Sequence, residues 1–525
     1  THFYYCHEQL TGVTFPDGST RAAGFDNFNR QIWASDERGV AVTNSYDMHD
    51  RIIASAYVPY EGGDTVNGLP DTTTVPSSVS PTTCRWSMIH GSFSNQYIRY
   101  TYDVVGNTTN MTDWAGSITN AYDALNRTVS EFRCIQASNN IRYTIASLYD
   151  DADNCTTQTF TSHSGSFNAE TTYDYDNLNR MTDVESDFDN ISVAAHYTYN
   201  NNGKIQQRTS MKDGQSQAVE NYDYDSEQRL KTISSQQHTL EYLYNNAQQI
   251  RWMYETLDGT EQRINYLYDA RDQLIEETVW ETFDDLWMKG PPNYYTYDNA
   301  RNRISAVRTG QSINEDYGYS FANKMTNIWR GSSTASSRYW YDTAGNLVTS
   351  IVETATNCYY YNVQNKLTKI EGSNFMYRFR YNSRNERIAV GKAVNTNDVT
   401  WRYDACNGPA TIAEFNDAGV VTSYFVRGVG VADGIGDVVA EIDLSGSTEE
   451  AHFYLYNHRG DVVCVVNPGS TPNTTYRYDA FGNVYQMQGS FTSRYSFSTK
   501  EYLPEANLYL YQYRVYDPAS GRWTQ

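Results

Sequence analysis

The chain has 525 residues, 40 Lys and Arg against 62 Asp and Glu, a net charge of −22 and a pI near 4.8. So acidic a protein repels nucleic acid, which excludes a phosphate-backbone binder, and its longest apolar run, Val462-Val463-Cys464-Val465-Val466, makes one strand and no membrane span. One solid core is excluded as well, because such cores stop growing near ~250–300 residues and no composition break divides the chain.

In chain order, residues 1–24 precede the repeats and are left to serve as a plug or a rim strand. Because Thr1 opens the chain in place of Met, a processed product or a fragment is expected. From Phe25 a phrase recurs: an aromatic, then Asp or Asn, then a polar stretch ending in Gly, Asn or Arg. It reads FDNFNR at Phe25, YDMHDRI at Tyr46, YDVVGN at Tyr102, YDALNR at Tyr122 and YDNLNRM at Tyr175, and it continues through YDPASGRW at Tyr516. About eighteen units stand mostly 20–29 residues apart, and such self-similarity marks a repeat architecture.

Between the phrases lie short runs rich in Tyr, Thr, Val, Ile and Phe that alternate in period two, as in Arg378-Phe379-Arg380-Tyr381. That pattern predicts strands, and the Asp, Asn and Gly after each Tyr predict tight turns. A unit then holds two strands of roughly nine residues. Almost no helix is expected. The fold class is all-β: one continuous antiparallel strip of hairpins that curls round to enclose space. At ~4.8 Å per strand the strip is about 170 Å long; rolled once it is about 55 Å across, and a tighter spiral leaves less room. The 47 tyrosines suit such a wall, being apolar on the ring and polar at the tip.

Five local features stand beside the repeats. The Ser/Thr/Pro-rich stretch 62–83 reads as a loop insertion. Cys134 and Cys155, about one repeat apart, are candidates for a cross-strand disulfide, while the absence of any CxxC argues against structural zinc. Asn-x-Ser/Thr sequons occur at Asn107, Asn110, Asn126, Asn154, Asn190 and Asn473, and with the Tyr- and Asn-rich composition they favour an extracellular or cell-surface location. Gly428, Gly430, Gly434 and Gly436 lack the Lys-Ser/Thr ending and following helix of a phosphate loop, so they read as a hairpin connection. The small His2, Cys6 and His7 cluster sits at a terminus and offers no fixed metal geometry. No cofactor and no metal are called for.

The phrase Tyr-Asp…Gly-Asn…Leu resembles the YD-repeat, or Rhs, family along nearly the whole chain. The segments Tyr424–Gly446, Tyr454–Asn467, Tyr476–Tyr485 and Asn507–Gln525 are similar to the Rhs-associated core. The resemblance implies residues 25–423 as a YD-repeat shell and 424–525 as the core that closes it. It further implies a cocoon around a C-terminal, toxin-like segment, with that cargo or a neighbouring shell or cap protein as partner. The alternative is an adhesion surface of teneurin or wall-associated type, binding a cell-surface or glycan ligand. Toxin relatives cut themselves after the core with aspartates near Arg-x-x-Asp-Pro, which Arg514-Val515-Tyr516-Asp517-Pro518 matches. Arg514 and Asp517 are therefore candidate catalytic residues for self-cleavage, with the second Asp-Pro expected beyond Gln525. Otherwise Asp517-Pro518 is one more turn with Arg514 paired to it.

Overall fold

A computed structural model describes residues 2–524 except 7–8, 16–17, 38–39, 60–96, 138, 166, 189–190, 284–285, 310–312, 332–333, 363, 397, 409, 430–436, 447 and 470. One antiparallel sheet takes in 41 strands and a second takes in four, with no α-helix among the described residues. Each strand of the large sheet pairs with its successor, from His2–Cys6 against Gln9–Thr14 to Thr471–Tyr478 against Val484–Gly489. A departure occurs at Leu274–Phe283, which pairs with both Leu286–Lys289 and Asn293–Tyr297. The single strip of hairpins read from the repeats is the fold.

The repeated phrase makes a five-residue turn that holds itself and its neighbour. Asp123 shows the pattern: one carboxylate oxygen accepts the amides of Leu125 and Arg127 at 2.9 Å, and the other accepts Arg127 Nε at 2.7 Å. Asn126, three residues after the Asp, has φ 65°, and Gly or Asn recurs at this place because the turn demands left-handed backbone there. Arg127 then reaches into the next repeat, donating to the Asp150 carbonyl at 2.9 Å and lying 4.9 Å from the Tyr149 ring centroid. Tyrosine closes the link in the other direction. Its hydroxyl donates to a carbonyl in the preceding repeat: Tyr175 to Cys155, Tyr224 to Ile205, Tyr297 to Leu274 and Tyr478 to Val462, at 2.8–2.9 Å.

The strip also meets itself at long range. Trp114 Nε1 donates to the Tyr381 carbonyl, 267 residues on, and Arg133 pairs with Glu386 at 2.7 Å, 253 residues on. Arg208 donates to the Tyr454 carbonyl and the Tyr242 hydroxyl accepts from the His458 amide. At Trp114 and Arg133, hairpins at the end opposite the Tyr-Asp turns receive the turns of a later stretch. At Tyr242, two residues before the turn that follows Tyr244, the later turn lies on the strand itself. Strand Ile191–Tyr199 touches Val438–Asp443, 22 strands later, so one winding is about 105 Å round and roughly 34 Å across at the backbone. The tighter of the two spirals is realised. Ile141, Tyr143, Phe160 and Val193 of the first winding share one apolar cluster with Phe415, Ile442 and Phe453 of the second. The wall is not closed, because its terminal strands and the turn edge of the first winding are bare.

Two expectations are corrected and others fall outside the described residues. Cys134 and Cys155 are free thiols. A repeat is two strands deep, so strand Ile141–Tyr149 separates them, and two strand spacings, about 10 Å, exceed the reach of a disulfide. Cys358 is disulfide-bonded instead. Strands of the large sheet run from 4 to 10 residues, many shorter than the nine expected. The 62–83 insertion, Asn190, His7, Gly430, Gly434, Gly436 and the side chains of Cys6 and Asn473 are not among the described residues. Among the sequons that are, Asn107 and Asn154 spend their side-chain amides on turn carboxylates at 2.9 Å, which opposes attachment of a glycan there.

Replacing Tyr478 by Phe removes one buried donor to the Val462 carbonyl and should cost about 1–3 kcal/mol in denaturant unfolding. The turn carboxylates set an acid limit. Burial raises the Asp47 carboxyl, but the bonds from Arg51 and His49 outweigh it and hold the group at about 2, below its ordinary 3.8. Asp123, Asp176 and Asp225 are shifted the same way. The unfolded chain therefore takes up protons first. Stability conferred by the turns is complete above about pH 4 and is lost as pH falls towards 2, which a thermal-melt series across that range measures.

Candidate functional site

The last thirty residues form a hub against the concave face of the second winding. Their small sheet runs through Glu501–Leu503, Leu508–Leu510, Val515–Asp517 and Arg522–Trp523. Leu503, Leu508, Leu510 and Val515 share one apolar cluster with Tyr295, Tyr317, Tyr339, Tyr359 and Tyr377, buried strand positions of five successive repeats. Polar contacts extend the grip at both ends. Arg303 donates to the Ser520 carbonyl at 2.7 Å, and the Leu347 amide donates to the Thr524 carbonyl at 2.8 Å. The hydroxyls of Tyr509 and Tyr516 donate to the carbonyls of Gly482 and Phe481 at 2.9 Å. These polar partners run from strand Arg303–Arg308 to the turn before Val484–Gly489, sixteen strands or about 80 Å of ribbon. So short a segment touches both ends because the ribbon bends around it.

Glu501 anchors the hub in a buried ionic network. Its carboxylate meets Arg387 at 2.9 Å, Arg402 at 2.7 Å and Arg494 at 3.1 Å. Asp404, fully buried, meets Arg494 at 2.9 Å and Arg402 at 3.1 Å, and Glu414 also contacts Arg494. Burial pushes the Glu501 and Asp404 carboxyls up, but the surrounding guanidinium groups overcome it and hold both below the usual carboxylate range. Beside the network a cavity of about 90 Å³ is lined by Arg387, Cys406, Arg494, Tyr495, Lys500 and Glu501. Burial raises the Cys406 thiol to about 12, so it is an inert core group rather than a nucleophile.

Asp517 and Arg514 lie in this hub but not against each other. Asp517 opens the turn Pro518–Gly521; its carboxylate accepts the Ala519 amide at 3.0 Å and its carbonyl accepts the Gly521 amide at 2.8 Å. Burial raises the carboxyl above its ordinary value against the bonds from Ser520 and Ala519. The exposed Arg514 guanidinium stacks on Trp523, 3.9 Å from the ring centroid. Asn483 donates at 3.0 Å to the Pro518 carbonyl and at 2.8 Å to the Asp479 carboxylate, so a Tyr-Asp turn of the wall holds the Asp-Pro peptide in place. No metal-ligating cluster occurs among the described residues.

The phrase at Tyr403 reads as another turn in the sequence, but Tyr403–Asn407 lies inside strand Thr400–Asn407 and Asp404 is buried in the network instead. Sequence reading passed over Arg494, Glu501 and Arg303; for Glu501 and Arg303 the one signal is a charge at a buried strand position. Glu501→Ala leaves three arginines without their shared carboxylate and should destabilise by about 3–5 kcal/mol, read as a lower denaturation midpoint with the hub's tryptophan and tyrosine signals lost together.

Similarity to known proteins follows the same architecture. Among curated proteins, the chain is 26% identical over 257 residues to the tRNA3(Ser)-specific nuclease WapA of Bacillus spizizenii and 24% identical over 255 residues to the tRNA nuclease WapA of Bacillus subtilis. Each match takes in 47% of this chain and 10% of the relative, so the chain spans a small part of those proteins. Crystal structures of TcdB2-TccC3-TEV and of TcdB2-TccC3 without its hypervariable C-terminal region align with TM-scores of 0.73 and 0.70. They cover 98% of this chain and 26% of those chains, at 15% and 14% identity, which is likeness of fold. Over residues 98–525 the sequence matches the family described as Teneurin YD-shell, and to that family this chain belongs.

Proposed function

We propose that the chain is the wall of an Rhs-type containment shell, placed outside the cell or on its surface, that encloses and presents a toxin-like C-terminal segment. Residues 25–423 are the YD-repeat part of the strip, 424–525 the closing core with the last wall strands, and 1–24 a plug or rim strand at the start of the strip. The observation that carries the reading is the hub: residues 501–524 are gripped by strands drawn from most of one winding, so a segment leading from Thr524 is held on the concave side. The nuclease names of the WapA relatives supply the kind of cargo. On this reading Asp517 has a self-cleavage role, supported by its burial. Burial favours the neutral, proton-donating form of its carboxyl, and a second carboxylate supplied by following residues would act as the base. Arg514, stacked and exposed, then orients the strand through Trp523 and is a positioning residue.

The test uses the encoded full-length polypeptide. Under protease challenge, the segment after the core should survive as long as the strip stays folded; digestion at the rate of an unfolded chain overturns containment. In the same preparation Asp517→Asn should leave the chain in one piece where the wild type separates. A variant that separates normally removes Asp517 from the chemistry and leaves containment standing.

A further inference from the structure

The Tyr-Asp turn edge of the ribbon is covered along one winding and bare along the other. In the second winding the turns sit on earlier hairpins: Thr343 at the Glu37 carbonyl, Gln364 at Tyr57, and Ser383 at Asp113. Phe481, two residues after the turn aspartate Asp479, shows what an apolar tip does when it is covered, here beside the Tyr-Asp turn that follows Tyr297 and not on a hairpin end. Its ring lies 5.0 Å from Tyr295, edge to face, and 4.4 Å below the Arg303 guanidinium.

The first winding carries the same kind of tip with nothing on it. Phe28, Leu125 and Leu178 stand two residues after their turn aspartates, as Phe481 does, and Met48 and Val104 stand one place earlier. All five are 66% to 102% exposed. Turn chemistry does not require them, since Glu227, Ala247 and Arg271 fill the second place in other turns. Consecutive turns lie two strands apart, so Phe28, Met48, Val104 and Leu125 form a row at roughly 10 Å spacing along one rim, and Leu178 follows about 20 Å on, past the polar tip of the Asp150 turn. A row of projecting apolar side chains on an acidic protein marks an interaction surface.

We infer that this rim is a docking edge for a second copy of the chain, whose second-winding hairpin edge seats on it as the first winding's hairpins seat the second winding's turns. Continuity with the internal seam is what selects this occupant: both complementary edges are present on one chain, and the seam is the same contact made within it. Over its earlier hairpins the second winding leaves this edge exposed, as at Val352 beside the turn Glu353–Thr354 and at Ser373 and Asn374. Further on, Asp417 and Gly469 already meet Asn139 and Gln217 of the first winding. A rim meeting an opposite edge is a head-to-tail contact, which adds copies in one direction instead of closing as a two-fold dimer.

Sedimentation of the intact protein over a concentration series tests this. Reversible association is expected. Leu125→Ser with Leu178→Ser should weaken it by roughly a hundredfold, with the thermal midpoint unchanged because both side chains are exposed. Val352→Glu, on the opposite edge, should weaken it likewise. Each variant alone should be monomeric, whereas a mixture of the two should form a dimer, because one supplies a sound hairpin edge and the other a sound rim. A wild type that stays monomeric overturns the proposal. So does association that ignores the leucine substitutions, a mixture that fails to pair, or a rim that binds phosphatidylcholine vesicles in place of a second copy.

Discussion

A ribbon of hairpins has turns along both long edges, and the burial of one edge against the other is the constraint on which this structure depends. Without it the ribbon is a sheet two residues thick whose apolar face has nothing to cover it. With it, Ile141, Tyr143 and Phe160 gain Phe415 and Tyr424 as neighbours, and polar groups at the hairpin ends find partners more than two hundred residues away. The seam is unusually polar for a core contact. Arg133 with Glu386, and Arg477 with Glu255, are buried pairs that reward one register and penalise a slip, since a shifted winding would strand charges in apolar surroundings.

The repeat supplies what the seam needs. Because each tyrosine hydroxyl reaches back one repeat and each turn arginine reaches forward one, successive hairpins keep a fixed offset, and a fixed offset per strand makes a regular coil. Chirality adds the curl, since strands twist with one hand. The hub is a consequence of that curl. Once the ribbon has bent through most of a winding, its tyrosine-lined concave face is open to a segment from the same chain, and residues 501–524 fill the place where wall strands converge.

Much of this was legible in the residues. Tyr followed by Asp or Asn and a polar stretch states a turn, a left-handed residue and a bond to the neighbouring repeat, and every such phrase from Tyr122 to Tyr297 folds that way, even where Asp153, Gln228, Gln248, Asp272 or Arg301 fills the left-handed place. The width of the coil was not legible, because a small twist per strand, summed over 22 strands, sets it and no single residue encodes it. The cysteine pairing failed for a related reason: spacing in sequence counts repeats, whereas bonding needs adjacent strands. Phe28 and Phe481 occupy the same place in the same phrase, yet one is bare and the other sits between Tyr295 and Arg303. Local pattern fixes the turn, and position along the spiral decides what the turn touches. Arg514 and Asp517 came from motif likeness, and the structure adds what the motif lacks, the stacking on Trp523 and the grip of Asn483 on the Asp-Pro peptide.

A double-mutant cycle on Arg133 and Glu386 tests the seam most directly, because the two residues are 253 apart in sequence and meet at 2.7 Å only if the ribbon returns upon itself. Arg133→Met and Glu386→Gln, singly and together, should give a coupling energy of about 1–3 kcal/mol in equilibrium unfolding. Additive effects, with no coupling between the two sites, would contradict the wound ribbon.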